Sequence, residues 1–292
     1  MDTNNLPLVS VLLPSYNHEK YVEEAILSVV NQTYKNIELI VIDDGSNDNS
    51  PKIIEKLQQK YRFKYVHREN RGLIKTHEEM ISLSNGKYIS FASSDDYYVN
   101  NKIEKLVDYL EGNIDYAMVF SKIILVNNNS QEIEKINENY ISGNIFQFLL
   151  RGDFFINGLS AIIKSSIYKE YKFIQQEYID DLNIWLYVAS KYKIGFIDEY
   201  LAYYRKHDNH MSGNILKMQE SEEMIINQYK DKECYKEAIN EWNLRWFHNT
   251  SLCYKKIAFT KYLPKLLKPK NLFRLKLYKA LIRFLIPCSW QR

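Results

Sequence analysis

Over its first 96 residues the chain alternates short apolar runs with amphipathic stretches, and that alternation restricts the fold more than any other feature. Residues 8–13 (Leu-Val-Ser-Val-Leu-Leu) and 37–42 (Ile-Glu-Leu-Ile-Val-Ile) have the composition of buried strands, and 63–66 and 87–92 are shorter runs of the same kind. Between them, residues 19–31, 50–60 and 72–84 carry apolar side chains at helical spacing, as in Val22, Ile26, Val29 and Val30. Ser50-Pro51 supplies a capping residue followed by proline at the first helical position. Strand-helix alternation of this kind predicts an α/β fold with a mostly parallel central sheet flanked by helices. Two of the strands run directly into paired carboxylates, Asp43-Asp44 and Asp95-Asp96. Both pairs then fall on the edge of the sheet where ligands bind in open α/β folds. Adjacent carboxylates repel unless a cation lies near, and a divalent cation often joins such groups to substrate phosphates. From this stretch alone, a helix N-cap for residues 101–110 serves equally well. The glycine-rich fingerprints of dinucleotide folds and P-loops are absent.

Further along, 116–120 and 158–163 are strand candidates, and the Asn-rich 127–139 predicts a loop or exposed hairpin. Residues 143–150 look helical. Asp180-Asp181 opens a helix through residue 190, where capping alone would account for the acids. Residues 194–197 and 201–204 predict two short strands. They lead to Arg205-Lys-His207-Asp-Asn-His-Met-Ser212, a loop dense in donors. We place one domain at 1–212 and a helical, basic C-terminal region at 213–292.

Charge also divides the chain, inside the C-terminal region. Twelve basic residues follow Glu241 with no acid among them, so the net charge of +3 leaves the first 241 residues at −9. An acid-free basic tail predicts an anionic partner. Within it, residues 276–286 set Lys276, Lys279 and Arg283 on one stripe, with Leu277, Leu281, Phe284 and Leu285 opposite. A helix so patterned fits the headgroup layer of an anionic membrane, or packs on the body with its basic face in water. The longest apolar runs fall short of a membrane span, and the polar start predicts no secretory leader. Cys234, Cys253 and Cys288 lack metal-ligand spacing.

Four segments together resemble the family 2 glycosyltransferases of GT-A fold: Val9-Ser-Val-Leu-Leu-Pro-Ser-Tyr-Asn17, Asn31-Gln-Thr-Tyr-Lys-Asn-Ile-Glu38, Val41-Ile-Asp-Asp-Gly-Ser46 and Gly86-Lys-Tyr-Ile-Ser-Phe-Ala-Ser-Ser-Asp-Asp96. The resemblance runs from about residue 8 to 212. It implies an inverting, metal-dependent transfer of a hexose or N-acetylhexosamine from a nucleotide-sugar, with uridine favoured. Pro14 and Tyr16 match positions lining the nucleobase and ribose pocket. Asp44 matches the carboxylate on the base, and Asp43 a ribose contact or loop support; Arg71 joins the donor-binding set. Asp95 and Asp96 match the end of the acidic motif that holds Mn²⁺ or Mg²⁺, and His207 a loop position that reaches the metal or diphosphate. By itself His207 would pass for a surface histidine. Arg205 would neutralise phosphate charge. Asp181 matches the general base, with Asp180 as the second candidate. The chain departs from the usual Asp-x-Asp-Asp in having Ser93 at the first position, which moves a ribose contact to Ser93 or weakens metal binding. A non-catalytic nucleotide-sugar-binding protein is the alternative that Ser93 raises. The expected acceptor is a lipid-linked saccharide or oligosaccharide in bacterial polysaccharide, lipooligosaccharide or glycan assembly. The expected location is cytoplasmic, at the inner face of the membrane, with no nucleic-acid partner.

Overall fold

Strand β1 (Val9–Ser15) is buried along nearly all of its length, as an apolar run of that kind requires. The computed structural model describes residues 6–173, 181–207 and 215–286. After β1 come α1 (Val22–Val30), β2 (Ile37–Asp43), α2 (Ser50–Tyr61), β3 (Lys64–His67), α3 (Leu73–Leu83) and β4 (Tyr88–Phe91). These four strands are parallel in the order β3-β2-β1-β4. One face buries Val9, Val11 and Leu13 with Val22 and Ile26 of α1 and Ile54 and Leu57 of α2. Helix α3 packs against β1 and β2 and buries Met80.

The remainder of the sheet is mixed. It comprises β5 (Tyr97–Tyr98), β6 (Tyr116–Val126), β7 (Glu132–Lys135), β8 (Ala161–Lys164) and β9 (Lys193–Arg205), with α4 (Lys102–Gly112) over β6 and β9. Strand β8 lies antiparallel between β4 and β6, whereas β6 and β9 are parallel. Two expectations differ from this outcome. The strands expected at 194–197 and 201–204 are one strand, because a register shift against β6 expels Asp198 and Glu199. Asp198 reaches back to the buried Lys122 and Glu199 pairs with Lys105, as a β-bulge allows. Likewise β6 continues past Phe120 because its Ser121-Lys122 pair is buried in the sheet. The hairpin option for 127–139 is realised as β7 on β6.

The chain divides into two compact units, Met1–Ile145 with Ile156–His210, and Phe146–Phe155 with Met211–Arg292. Helix α5 (Phe146–Arg151) belongs to the second unit. It joins α8 (Ile215–Asn227), α9 (Tyr235–Thr250) and a last helix, Leu275–Leu285. Trp242, Trp246, Phe247 and Tyr262 fill the second unit's core. The Trp242 indole donates to the Leu150 carbonyl (2.7 Å), and that of Trp246 to Glu222 (2.6 Å). Helices α6 (Ile167–Glu170) and α7 (Asp181–Lys191) belong to the first unit. Among the described residues no helix is long and apolar enough to cross a membrane.

Inside the first unit, Lys102 is fully buried. Its ammonium donates to Ser90 (2.9 Å) and lies 3.6 Å from the centre of the Tyr98 ring. Burial pushes its pKa well below the ordinary lysine value. A lysine depressed on folding takes up its proton on unfolding, so it costs stability at every pH below the unfolded value of roughly 10.4. Lys102→Met therefore stabilises the protein by roughly 1–3 kcal/mol at neutral pH. Urea unfolding should show the gain shrinking steadily as the pH is raised towards that value.

Candidate active site

Strand order reverses between β1 and β4, and the two strands part there. Their pairing ends at Leu12 opposite Phe91, while β1 stays with β2 as far as Ser15 opposite Asp43. A crevice beyond the C-terminal ends of the strands results, which is where open α/β sheets take ligands. Pro14 sits in β1 without disrupting it. Alternation along the strand turns its missing N–H to the side that β4 has already left.

The loop after β1 is tied to the loop after β2. Asn17 adopts a left-handed conformation (φ 55°), its side-chain oxygen accepts from the Asn47 N–H (2.8 Å), and its own N–H donates to Ser46 Oγ (2.8 Å). The His18 N–H donates to Ser50 Oγ (3.0 Å) and the Glu19 N–H to Asp48 (2.9 Å). These bonds hold residues 18–21 out of α1, which begins at Val22 rather than at 19. Tyr16 remains largely exposed at the rim.

Asp43 and Asp44 work mainly on the loops. Asp43 is buried and accepts from the Ser46 N–H (2.9 Å) and hydroxyl (2.7 Å), with His67 Nδ1 at 3.0 Å. Asp44 accepts from the N–H groups of Arg71 (2.9 Å) and Gly72 (3.0 Å) and pairs with Arg68. Each has about one of its four lone-pair sites left. The Arg71 side chain is mostly exposed, 3.7 Å from Glu79.

Side chains from the ends of three strands converge in the crevice. His18, Asp95 and His207 offer ligand atoms that all lie within 4.8 Å of one another. His207 Nε2 is 2.9 Å from Asp95 Oδ2, and His18 Nε2 is 4.0 Å from the same oxygen. His18 Nδ1 meets Ser94 Oγ at 2.7 Å, and Ser93 Oγ bonds Asp95 Oδ1. Tyr21 stacks on the His207 ring at 5.6 Å. Burial pushes the Asp95 carboxyl up, but the His18 charge and the bonds from Ser93 and His207 outweigh it and lower the pKa overall. Burial lowers His18. Two imidazole nitrogens and a carboxylate oxygen fit a divalent transition cation such as Mn²⁺ better than Mg²⁺, which favours oxygen throughout.

The other expected residues stand differently. Asp96 is turned inward: its carboxylate accepts the Arg205 N–H (2.7 Å), and burial raises its pKa well above the ordinary range. It lies outside the cluster of His18, Asp95 and His207. Arg205 is 1% exposed, and its guanidinium is occupied within the fold rather than offered to a phosphate. It donates to the carbonyls of Asp95 (2.8 Å) and Asn127 (2.9 Å), to Ser130 and to Glu24, beneath the Tyr21 ring. Asp181 opens α7, and its Oδ1 accepts the Leu182 N–H (2.8 Å). Gly158 faces it, and a Cβ there would lie 3.7 Å from Asp181 Oδ2, an ordinary contact. Asp180 and 208–212 lie outside the described residues. The sequence reasoning missed His18, which directly follows the Asn17 that ends the first motif; its place at the C-terminal edge of β1 was the available signal.

The glycosyl transferase family 2 model matches residues 10–172. An uncharacterized glycosyltransferase of Haemophilus influenzae is 32% identical over 222 residues, 71% of this chain and 68% of that protein. Glycosyltransferase GlyG of Streptococcus pneumoniae is 32% identical over 231 residues, 72% and 73% respectively. The chain spans about a third of the length of other relatives, such as an uncharacterized glycosyltransferase of Rickettsia felis (30% identity, 32% of its length). In fold it is similar to S. aureus TarS 1-349 in complex with UDP-GlcNAc, with a TM-score of 0.64, 19% identity and coverage of 95% and 80% of the two chains. It is also similar to mannosyltransferase PcManGT from Pyrobaculum calidifontis in complex with GDP-Man and Mn²⁺, with a TM-score of 0.56, 14% identity and coverage of 97% and 88%. With the motifs lying on the matched strands, the chain belongs to glycosyl transferase family 2, in the GT-A fold.

Proposed function

We propose that the chain is an inverting hexosyl- or N-acetylhexosaminyltransferase that uses a nucleotide-sugar, with uridine as the favoured nucleoside. The observation that carries this reading is the convergence of His18, Asp95 and His207 at the strand ends. A divalent cation held by these residues would bind the donor diphosphate and take up the charge developing on it. Pro14, Tyr16, Asp44 and the exposed Arg71 line the donor side, and Ser93 orients Asp95 by bonding one of its oxygens. In the reaction the acceptor oxygen bonds the anomeric carbon from the face opposite the diphosphate as the bond to the diphosphate breaks. Configuration inverts, and the hydroxyl proton passes to Asp181 as general base.

The acceptor in this proposal is a lipid-linked saccharide of bacterial polysaccharide, lipopolysaccharide or other surface-glycan assembly, met at the cytoplasmic face of the membrane. Support comes from the acid-free basic C-terminal region, which suits anionic lipid carriers and headgroups.

Calorimetric titration with UDP and UDP-sugars, with Mn²⁺ or with EDTA, tests the donor site. Asp95→Asn and His207→Ala should each weaken metal-dependent nucleotide binding by more than about tenfold, and His18→Ala should lower Mn²⁺ affinity by about tenfold. Asp181→Asn should leave nucleotide affinity nearly unchanged and cut transfer by roughly 10²–10⁴-fold. Nucleotide binding indifferent to EDTA, with transfer absent, would instead support the non-catalytic alternative.

Arg205 gives a separate test. Arg205→Met should lower stability by about 2–4 kcal/mol, with little of it from the partly exposed Glu24 pair. Equilibrium unfolding measures this. A stable Arg205→Lys variant that lost only nucleotide affinity would mean direct contact with the diphosphate.

A further inference from the structure

The last helix, Leu275–Leu285, carries more apolar surface than its own unit covers. At roughly 100° per residue its side chains fall into three sectors. Leu277 and Ala280 are buried, with Leu281 and Phe284 half-buried beside them. Lys276, Lys279 and Arg283 form a basic stripe on the next sector. Leu275, Tyr278, Ile282 and Leu285 fill a third, within an arc of about 80°, and all four are exposed. The stripe that looks apolar in the sequence is therefore mostly the packed face, and a second apolar row points outward. Phe273, 92% exposed, and Leu272 precede the row, and the Tyr278 hydroxyl donates to the Leu272 carbonyl (2.5 Å). Phe259, exposed as well, lies against Phe284, with ring centres 6.3 Å apart. Clustered exposed apolar side chains of this size mark an interaction surface.

Charge decides the partner. Lys276 and Lys279, both exposed, lie on the sector next to the row, Lys268 and Lys270 are exposed just before it in the chain, and the chain has no acid after Glu241. A row of bulky apolar groups flanked by a basic stripe matches an anionic phospholipid bilayer, with hydrocarbon below and phosphates at the rim. We propose that this outward row, Phe273, Leu275, Tyr278, Ile282 and Leu285, inserts into the acyl boundary of an anionic bilayer while the basic stripe rests in the headgroups. The proposal deepens the membrane contact suggested above by naming the inserting face. It also separates two contributions: the lysines bring the protein to the surface, and the apolar row holds it there against salt.

Sedimentation of the full chain with vesicles tests this, using phosphatidylcholine alone or mixed with phosphatidylglycerol, at low and high salt and with no nucleotide or metal. Wild type should sediment with the anionic vesicles and stay partly bound at high salt. Phe273→Asp with Ile282→Asp should lower partitioning by about tenfold or more at both salt concentrations. Lys276→Gln with Lys279→Gln should weaken it chiefly at low salt. Both pairs replace exposed side chains, and circular dichroism checks that the fold is kept. Wild type remaining in solution with every vesicle, or an aspartate variant that binds as well as wild type, overturns the proposal. So does light scattering that shows a wild-type dimer dissociated by the aspartate pair, because a second copy then covers the row. Failure here with UDP binding intact leaves the donor-site reading standing, and the converse leaves the membrane face standing.

Discussion

A single buried guanidinium sets the geometry on which the candidate active site depends. Arg205 ends β9, and its backbone N–H fixes Asp96 while its Nε–H fixes the carbonyl of Asp95. The same side chain reaches Asn127, Ser130 and Glu24, and so ties the β6–β7 turn and α1 to the acidic loop. His207 is two residues further on, so its placement against Asp95 follows from where Arg205 is anchored. A buried cation demands such partners, because desolvation without them would be prohibitive. Asp96 is the second half of this clasp, its carboxylate held by the Arg205 N–H at the end of β9.

Much of the first unit was legible in the sequence. Strands β1, β2 and β4 are largely apolar runs, and such runs follow from burial on both faces of a parallel sheet. The crevice was legible too, because paired carboxylates closed two of those runs. What escaped was set by contacts remote in sequence. Strand β9 looked like two strands because Asp198 and Glu199 interrupt its apolar pattern, and only the register against β6 shows that they are expelled from a continuing strand. The burial of Arg205 could not be read from its position after a strand, because its partners on α1 and in the β6–β7 turn lie more than 70 residues away. His18 was overlooked because a lone histidine has no pattern of its own, and only the parting of β1 and β4 brings it to Asp95.

The last helix repeats the lesson at the level of packing. Its hydrophobic residues cover more than one sector, so periodicity could not say which sector the body would take. Leu277 and Ala280 are taken by the body, and the bulkier outward row is left to other surroundings. A helix apolar on two sides and basic on a third keeps one apolar side in water even when the other is packed.

Pro14 has a consequence of its own. Neighbouring parallel strands tend to pair for as long as both have donors to offer, and β1 and β4 would gain by zipping further towards their C-terminal ends. The ring at residue 14 withholds the N–H that the next rung would need. It therefore acts as a permanent wedge at the mouth of the sheet, keeping a gap in the hydrogen-bonded floor without requiring any ligand to prop it open.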